Sequence, residues 1–355
     1  MRVLHVTTRF HPCRGGVERH VEDLAALQNK TMRADVLCLD RCEDDGPRLP
    51  ARSTVGKVNV FRVPYTDLRY YKIAPRILRY VKNYDVLHVH RMGFFLDFLC
   101  LTKSLHKKRL VFTTHGGIFH TGKLGFLKQL YFNTVFRTLS RSIDRTIAVS
   151  ENDRKRFAWL KPVVIPPAIA LPVAKSLHKS GNGFLYVGRV AQNKGFENLI
   201  AVVALMKEKS AVFDIKIAGR GDAGYINKLK RLARESGVSE NVKFLGDVSD
   251  KEKWKLYRES RFFVSASAYE GFGLSLVEAM SAGCVPVVSD IPTHREITEN
   301  GKYGVLVDFR EPEKAADTIR AAMKRSVDSS KIIKRGRSFS VDSIILRVKK
   351  CYDDD

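Results

Sequence analysis

The chain has 355 residues, 44% of them hydrophobic and 28% charged, with a formal net charge of +24. That length exceeds what one core usually fills, so two domains are expected. No run of about 18 apolar residues is present to span a membrane, and the opening MRVLHVTTRF alternates like a strand, too short in its apolar part for a signal peptide. The charge is uneven. Residues 1–172 hold 30 Lys+Arg against 14 Asp+Glu, a net +16, and the remainder 32 against 24, a net +8. Such a surface draws polyanions, whether nucleic acid, anionic lipid or phosphorylated substrates, although a general basic bias gives the same number. The six cysteines, Cys13, Cys38, Cys42, Cys100, Cys284 and Cys351, form no CxxC pair and read as buried free thiols in a reducing compartment.

Short apolar runs follow in chain order. The first half has VLHVTT (3–8), ADVLCL (34–39), VNVFRV (58–63), VLHVH (86–90), LVFTTHG (110–116), RTIAVS (145–150) and PVVIPPAI (162–169). The second has FLYVGRV (184–190), FDIKIAG (213–219), VKFLGDV (242–248), FFVSAS (262–267), VPVVSD (285–290) and YGVLVDF (303–309). Most lack strict alternation, as parallel strands covered on both faces do, and helix-like segments separate them. The pattern predicts α/β architecture with doubly wound parallel sheets. It restarts after ALPVAKSLHKSGNG (170–183), read as a linker. The domains are then 1–172 and 180–339, with a helix at about 340–355 that packs back on the first and ends in an acidic tail. Two such domains leave a cleft at the carboxyl ends of their sheets, where ligands bind.

Four constellations carry chemistry. In YEGFGLSLVEAMSAG (269–283), Glu270 follows a strand, GFG turns tightly, and a helix begins at Leu274. Backbone amides of Leu274 and Ser275 can receive a phosphate at the helix N-terminus. Glu278, one turn in, can accept two ribose hydroxyls, and Glu270 hydroxyls beyond the phosphate. A strand–turn–helix with solvated acids gives the same local pattern. In YVGRVAQNKGFENLI (186–200), Arg189 and Lys194 put a planar fork and a point charge on one loop, suited to a diphosphate. In RFHPCRGGVERHVEDLA (9–25), Gly15 and Gly16 let amides approach an anion. In TTHGG (113–117), His115 ends a strand and can hydrogen-bond a sugar or serve the core.

Together EGFGLSLVEAM, GRVAQNKGFENLI, GGVERHVEDLA and HG, in order, resemble the retaining glycosyltransferases of family 4, over nearly the whole chain. The resemblance implies the GT-B fold, with two Rossmann-like domains facing a central cleft, an acceptor domain at 1–172 and a nucleotide-sugar domain at 180–339. It implies that Gly15 and Gly16 approach the donor phosphate and sugar, that His115 contacts the transferred sugar, and that Arg189 and Lys194 neutralise the diphosphate. Glu270 would hold sugar hydroxyls and Glu278 the ribose. Gly219 and Arg220, in AGRGD (218–222), match the loop near the base, and Phe272, Gly273, Leu274 and Ser275 complete the donor set. His115, Arg189, Lys194 and Glu270 are the expected catalytic residues. The chain has IPPAIA (165–170) where the family often has Asn-Gly, and Glu296 fits a common family glutamate whose role stays open.

The expected reaction is retaining transfer from a UDP- or GDP-linked sugar, by same-face attack within an ion pair. Asp44-Asp45 lies in a surface turn and no DxD occupies a cleft loop, so no metal and no cofactor are expected. For the acceptor, LRYYKIAPRILRYVKNY (68–84) and GKLGFLKQLYFNTVFRTLSRS (122–142) mix aromatics and bases, the second placing Leu124, Leu127, Tyr131 and Val135 on one stripe. With the charge of this half, they point to a lipid-linked, phospholipid or cell-surface glycan acceptor and a cytoplasmic enzyme peripheral on an anionic membrane. The rivals are a nucleotide-sugar epimerase, which needs acid/base groups on the sugar ring, a catalytically dead binding subunit, and a nucleic-acid-binding protein. No helix-turn-helix, zinc finger or RNP motif supports the last, so no nucleic-acid partner is expected.

Overall fold

A computed structural model of the chain describes residues 1–68, 71–116, 125–167, 169–171, 183–209, 214–325 and 327–353. It divides into two compact units, Met1–Ala170 with Ser340–Asp355, and Leu171–Phe339. Most of the expected linker, 172–182, lies outside the described residues.

The first unit contains β1 (Arg2–Val6), β2 (Arg33–Leu39), β3 (Arg52–Val55), β4 (Val58–Val63), β5 (Thr66–Asp67), β6 (Lys72–Ile73), β7 (Val86–His90), β8 (Arg109–Thr113), β9 (Arg145–Ala148) and β10 (Val163–Val164). Eight of them form one sheet in the order β10-β9-β8-β7-β1-β2-β4-β3, and β5 and β6 form a separate hairpin. The pairs in the large sheet are parallel except β3 with β4. Every residue of β7 is buried, which is why VLHVH shows no alternation. The helix Val341–Lys350 returns to this unit. Ile344, Val348, Cys351 and Tyr352 join Val3, Leu24, Val86 and Val111 in one buried cluster.

The second unit contains β11 (Phe184–Val187), β12 (Ile215–Ala218), β13 (Val242–Gly246), β14 (Phe262–Ser265), β15 (Val285–Ser289) and β16 (Val305–Val307). The order is β13-β12-β11-β14-β15-β16, all parallel. Strand order reverses between β1 and β7 in one unit and between β11 and β14 in the other. Loops leaving such a pair diverge to opposite sides and open a crevice. The helix Ser329–Arg337 lies hard against the helix Leu274–Ser281. A Cβ on Gly336 would stand 2.5 Å from Ser281 N and 2.8 Å from Met280 C, backbone atoms that cannot give way.

Three expectations change. Cys13 and Cys42 form a disulfide, while Cys38, Cys100, Cys284 and Cys351 are free and buried. The bonded pair sits on the loops after β1 and β2, adjacent parallel strands whose carboxyl ends lie side by side. The stripe proposed in 122–142 does not hold. Residues Phe132–Phe136 make a π-turn, which shifts the helical phase. Tyr131, the last residue before it, donates to Asp97, and Phe132 and Phe136 enter the core, while Leu127 and Val135 stay exposed. Leu124 lies outside the described residues. The stretch 68–84 also serves the core, with Ala74, Ile77, Val81 and Tyr84 buried and Tyr71 donating to Asp97 at 2.6 Å.

The centre of the first sheet is polar. His5 of β1 pairs in register with His88 of β7, and His90 lies two residues on, on the same face. All three are buried. Desolvation penalises the cation, so the pKa of His5 is pushed down to about 4 and those of His88 and His90 well below the ordinary imidazole value. Unfolding returns each to about 6.5, so in this window the unfolded chain binds protons that the folded one refuses. The stabilisation is full above about pH 7 and is lost as pH falls below about 6.5, down to about 4 for His5. The melting temperature is therefore expected to fall steadily from about pH 7.5 to about pH 5.5, and less steeply in His5→Gln. A flat profile would show that the native protein protonates these imidazoles.

Candidate functional site

In the second unit, β11 leads into Gly188, whose φ of +149° favours glycine, and Arg189 follows, exposed. Tyr186 donates to the Arg189 carbonyl at 3.1 Å. The loop after β12 crosses here so closely that a Cβ on Gly219 would stand 1.8 Å from Gly188 O. Lys194 closes a 3-10 turn, Gln192–Lys194. Gly195, at φ +67°, starts the next helix, with no room for a side chain beside Ala266 O.

The loops after β11 and β14 are joined at two points. Ala268 donates its N–H to Asn193 O at 3.0 Å, and Lys194 Nζ meets Glu270 Oε1 at 2.6 Å. The ion pair is mostly shielded, with side-chain exposures of 15% and 19%. Ser267 donates to the same Glu270 oxygen at 2.7 Å, and Thr293 holds the Glu270 carbonyl at 2.9 Å. Lys194 and Glu270 thus come together although they are 76 residues apart.

The turn that follows places its residues differently. Phe272 is buried edge-on to Phe339, so its ring belongs to the core. Gly273, at φ +89°, caps the helix Leu274–Ser281 and supplies no side-chain hydrogen bond to it. The first-turn amides of that helix, at Leu274 and Ser275, consequently carry no cap from Gly273 and suit an anion. Glu278 is nearly buried on the same helix. Lys253 Nζ lies 2.9 Å from its Oε1, and Tyr257 donates to its Oε2 at 3.0 Å. Burial and the adjacent Glu278 push the Tyr257 phenol well above its ordinary value, so it stays a donor. Arg220 is exposed and reaches Asp247. The sequence reading missed Lys253 and Tyr257. Their i, i+4 spacing puts them on one face of Asp250–Glu259, but nothing local links that face to Glu278.

In the first unit, Gly15 is extended, and Gly16 begins the helix Gly16–Gln28. The Glu18 carboxylate folds over this start, so that a Cβ on Gly15 would stand 2.2 Å from Glu18 Oε2. His20, on the same helix, lies edge-on to His115 with centroids 5.2 Å apart. His115 has φ +46°, an uncommon conformation for a side-chain-bearing residue. Asp153 holds it there. The carboxylate Oδ2 accepts from Thr114 Oγ1 and from Gly116 N at 2.7 Å, while Arg156 donates to Gly116 O. Asp153 is a further residue that sequence spacing could not reveal. Burial, with His20 and Arg91 adding like charge, lowers the His115 pKa well below the ordinary value. Two overlapping sets, His5/His88/His90 and His20/His90/His115, bring ring nitrogens within 4.8 Å of one another, as a metal ion would require.

Residues 14–171 match the family described as Glycosyltransferase Family 4, and residues 172–339 match Glycosyl transferases group 1. The chain is 36% identical over 333 residues to a GDP-mannose:cellobiosyl-diphosphopolyprenol alpha-mannosyltransferase of Xanthomonas oryzae pv. oryzae, covering 90% of this chain and 87% of the relative. An enzyme of the same name from Komagataeibacter xylinus is 32% identical over 339 residues, 93% and 86% of the two chains. In fold, the chain is similar to sucrose-phosphate synthase from Thermosynechococcus elongatus, with a TM-score of 0.76 and 18% identity over 99% and 98% of the two chains. Sequence and architecture agree, and the chain belongs to the group 1 glycosyltransferases of family 4 type, with the GT-B fold.

Proposed function

We propose that this glycosyltransferase moves a sugar, with retention and without a metal, from a nucleoside diphosphate to a lipid-linked acceptor. The carrying observation is the joining of Lys194 and Glu270 beside the helix start at Leu274, with Glu278 one turn further in. The diphosphate lies at the amides of Leu274 and Ser275, with Arg189 and Lys194 as counter-charges. Glu278 accepts the ribose hydroxyls, oriented by Lys253 and Tyr257. Gly219 and Arg220 lie near the base. Glu270 and His115 bind hydroxyls of the transferred sugar, and Gly15 and Gly16 approach it through their amides. Before donor binds, Lys194 and Glu270 satisfy each other, so neither charge waits unpaired. As the bond from the sugar to the diphosphate breaks, the cations and helix amides stabilise the developing charge. The acceptor oxygen bonds to the same face, and its proton passes to the departing phosphate oxygen.

The relatives are named for GDP-mannose and for a diphosphopolyprenol acceptor, which favours GDP over UDP as donor nucleotide here and a polyprenyl-diphosphate-linked glycan as acceptor. The first unit supports a membrane surface by another route. Phe126 is 80% exposed and Leu127 55%, with Leu130 and Val135 about half exposed, and Lys128 and Arg137 lie on the same segment. Apolar groups of this kind enter the acyl boundary while bases meet anionic headgroups. Among the described residues no helix is long and apolar enough to cross a membrane.

At saturating GDP or GDP-mannose the melting temperature is expected to rise by about 5 °C, with no rise in Lys194→Ala or Glu278→Ala. Activity should persist in chelator, and the product should keep the donor's anomeric configuration. No shift with any guanosine or uridine diphosphate or its sugars, with or without added divalent metal, would refute the donor site. On vesicles rich in anionic lipid the protein is expected to float at low salt. The double variant Phe126→Asp/Leu130→Asp should lower the bound fraction about tenfold. Equal flotation of both proteins would exclude this face as the membrane contact.

A further inference from the structure

Four imidazoles of the first unit, His115, His90, His5 and His88, lie on one hydrogen-bonded chain with a direction. His115 Nε2 lies 3.2 Å from His90 Nδ1, and His90 Nε2 lies 3.0 Å from His5 Nδ1. His5 Nε2 lies 2.7 Å from Gln28 Oε1. The other end of the same amide, Gln28 Nε2, donates to Tyr352 OH at 2.8 Å. That phenol lies 2.7 Å from His88 Nδ1, and His88 Nε2 lies 2.7 Å from Thr113 Oγ1.

A neutral imidazole has one N–H and one lone pair, so each link decides the next. An amide oxygen only accepts, so His5 carries its proton on Nε2 and accepts at Nδ1. His90 must then donate from Nε2 and accept at Nδ1, and His115 must donate from Nε2. On the other branch the amide nitrogen only donates. The Tyr352 oxygen accepts from it, and its own buried hydrogen is satisfied by donation to His88 Nδ1, so that His88 donates to Thr113. A single amide thus sets the direction of both branches. Turning that amide over would reverse them.

We propose that Gln28, anchored by Tyr352, is a positioning residue that fixes His115 as the Nε2–H tautomer, so that His115 offers a lone pair at Nδ1 to a hydroxyl of the transferred sugar. The substrate contact rests on the proposed function, whereas the tautomer does not. With Nδ1 unprotonated, His115 accepts a hydrogen bond from a sugar hydroxyl and cannot act as a proton donor to the departing phosphate. Gln28 and Tyr352 reach the sugar only through His5 and His90.

Two-bond proton–nitrogen correlation spectra of the full-length, ligand-free protein with 15N-labelled histidine read the tautomers directly, with His115 assigned by its loss in His115→Gln. The expected pattern is a protonated Nε2 and a bare Nδ1 for His115, His90 and His5. Tyr352→Phe, which keeps the ring, frees the amide to turn and should give His115 a mixed pattern. Gln28→Leu should do the same. In both variants kcat is expected to fall about tenfold, the effect of one neutral hydrogen bond, with the KM for donor changed less than about twofold. His115 protonated on Nδ1 in the native protein, or an unchanged pattern in both variants, overturns the inference. The spectra need no donor, so they decide the tautomer even where no nucleotide shifts the melting temperature.

Discussion

Two chain segments far apart in sequence meet in the second unit, and the order of strands in its sheet makes them meet. β11 and β14 are neighbours, and strand order reverses between them. The loop that carries Arg189 and Lys194 and the loop that carries Glu270 therefore leave from adjacent points. Their contact is the ion pair of Lys194 with Glu270, reinforced by the Asn193–Ala268 backbone bond and by Ser267. A partly shielded pair of this kind is a weak source of stability, since desolvation offsets much of the attraction. Its value is placement. It holds a cation and a carboxylate in one spot, beside a helix start at Leu274 that Gly273 leaves without a side-chain cap.

The first unit solves a similar problem with neutral groups. β1 and β7 are adjacent at its own reversal point. The residues gathered there are histidines whose burial keeps them uncharged. A charged cluster in that position would need counter-ions inside a sheet covered on both faces, whereas imidazoles can satisfy one another. The same region carries an uncommon backbone conformation at His115, and Asp153 supports it from behind through Thr114 and Gly116.

Much of this was legible in the sequence because it is local. Apolar runs without alternation mark buried parallel strands, and FFVSAS or FLYVGRV followed by glycine and charge marks a strand end. What was hidden depends on register and on distant neighbours. Cys13 and Cys42 meet because β1 and β2 pair in parallel, which spacing alone does not show. Lys253 and Tyr257 meet Glu278 across two helices. RSTV at 52–55 has a single strongly apolar residue, so the edge strand β3 left no periodic signal. In 125–136 the error had a local cause that periodicity assumes away, since a π-turn over Phe132–Phe136 puts Phe136 inward where an unbroken helix would turn Val135.

Tyr352 belongs to the core of a unit whose strands, β1 to β10, lie before residue 171. On a ribosome that core is incomplete while the whole of the second unit is being made. At about 5–20 residues per second, the wait is on the order of ten seconds or more. During it the face later covered by Ile344, Val348 and Tyr352 is bare, and His88 and Gln28 lack the phenol that joins them. The unit made first is therefore finished last. Until residues 340–353 emerge, the strands of the first sheet are all made but one of its faces stays uncovered.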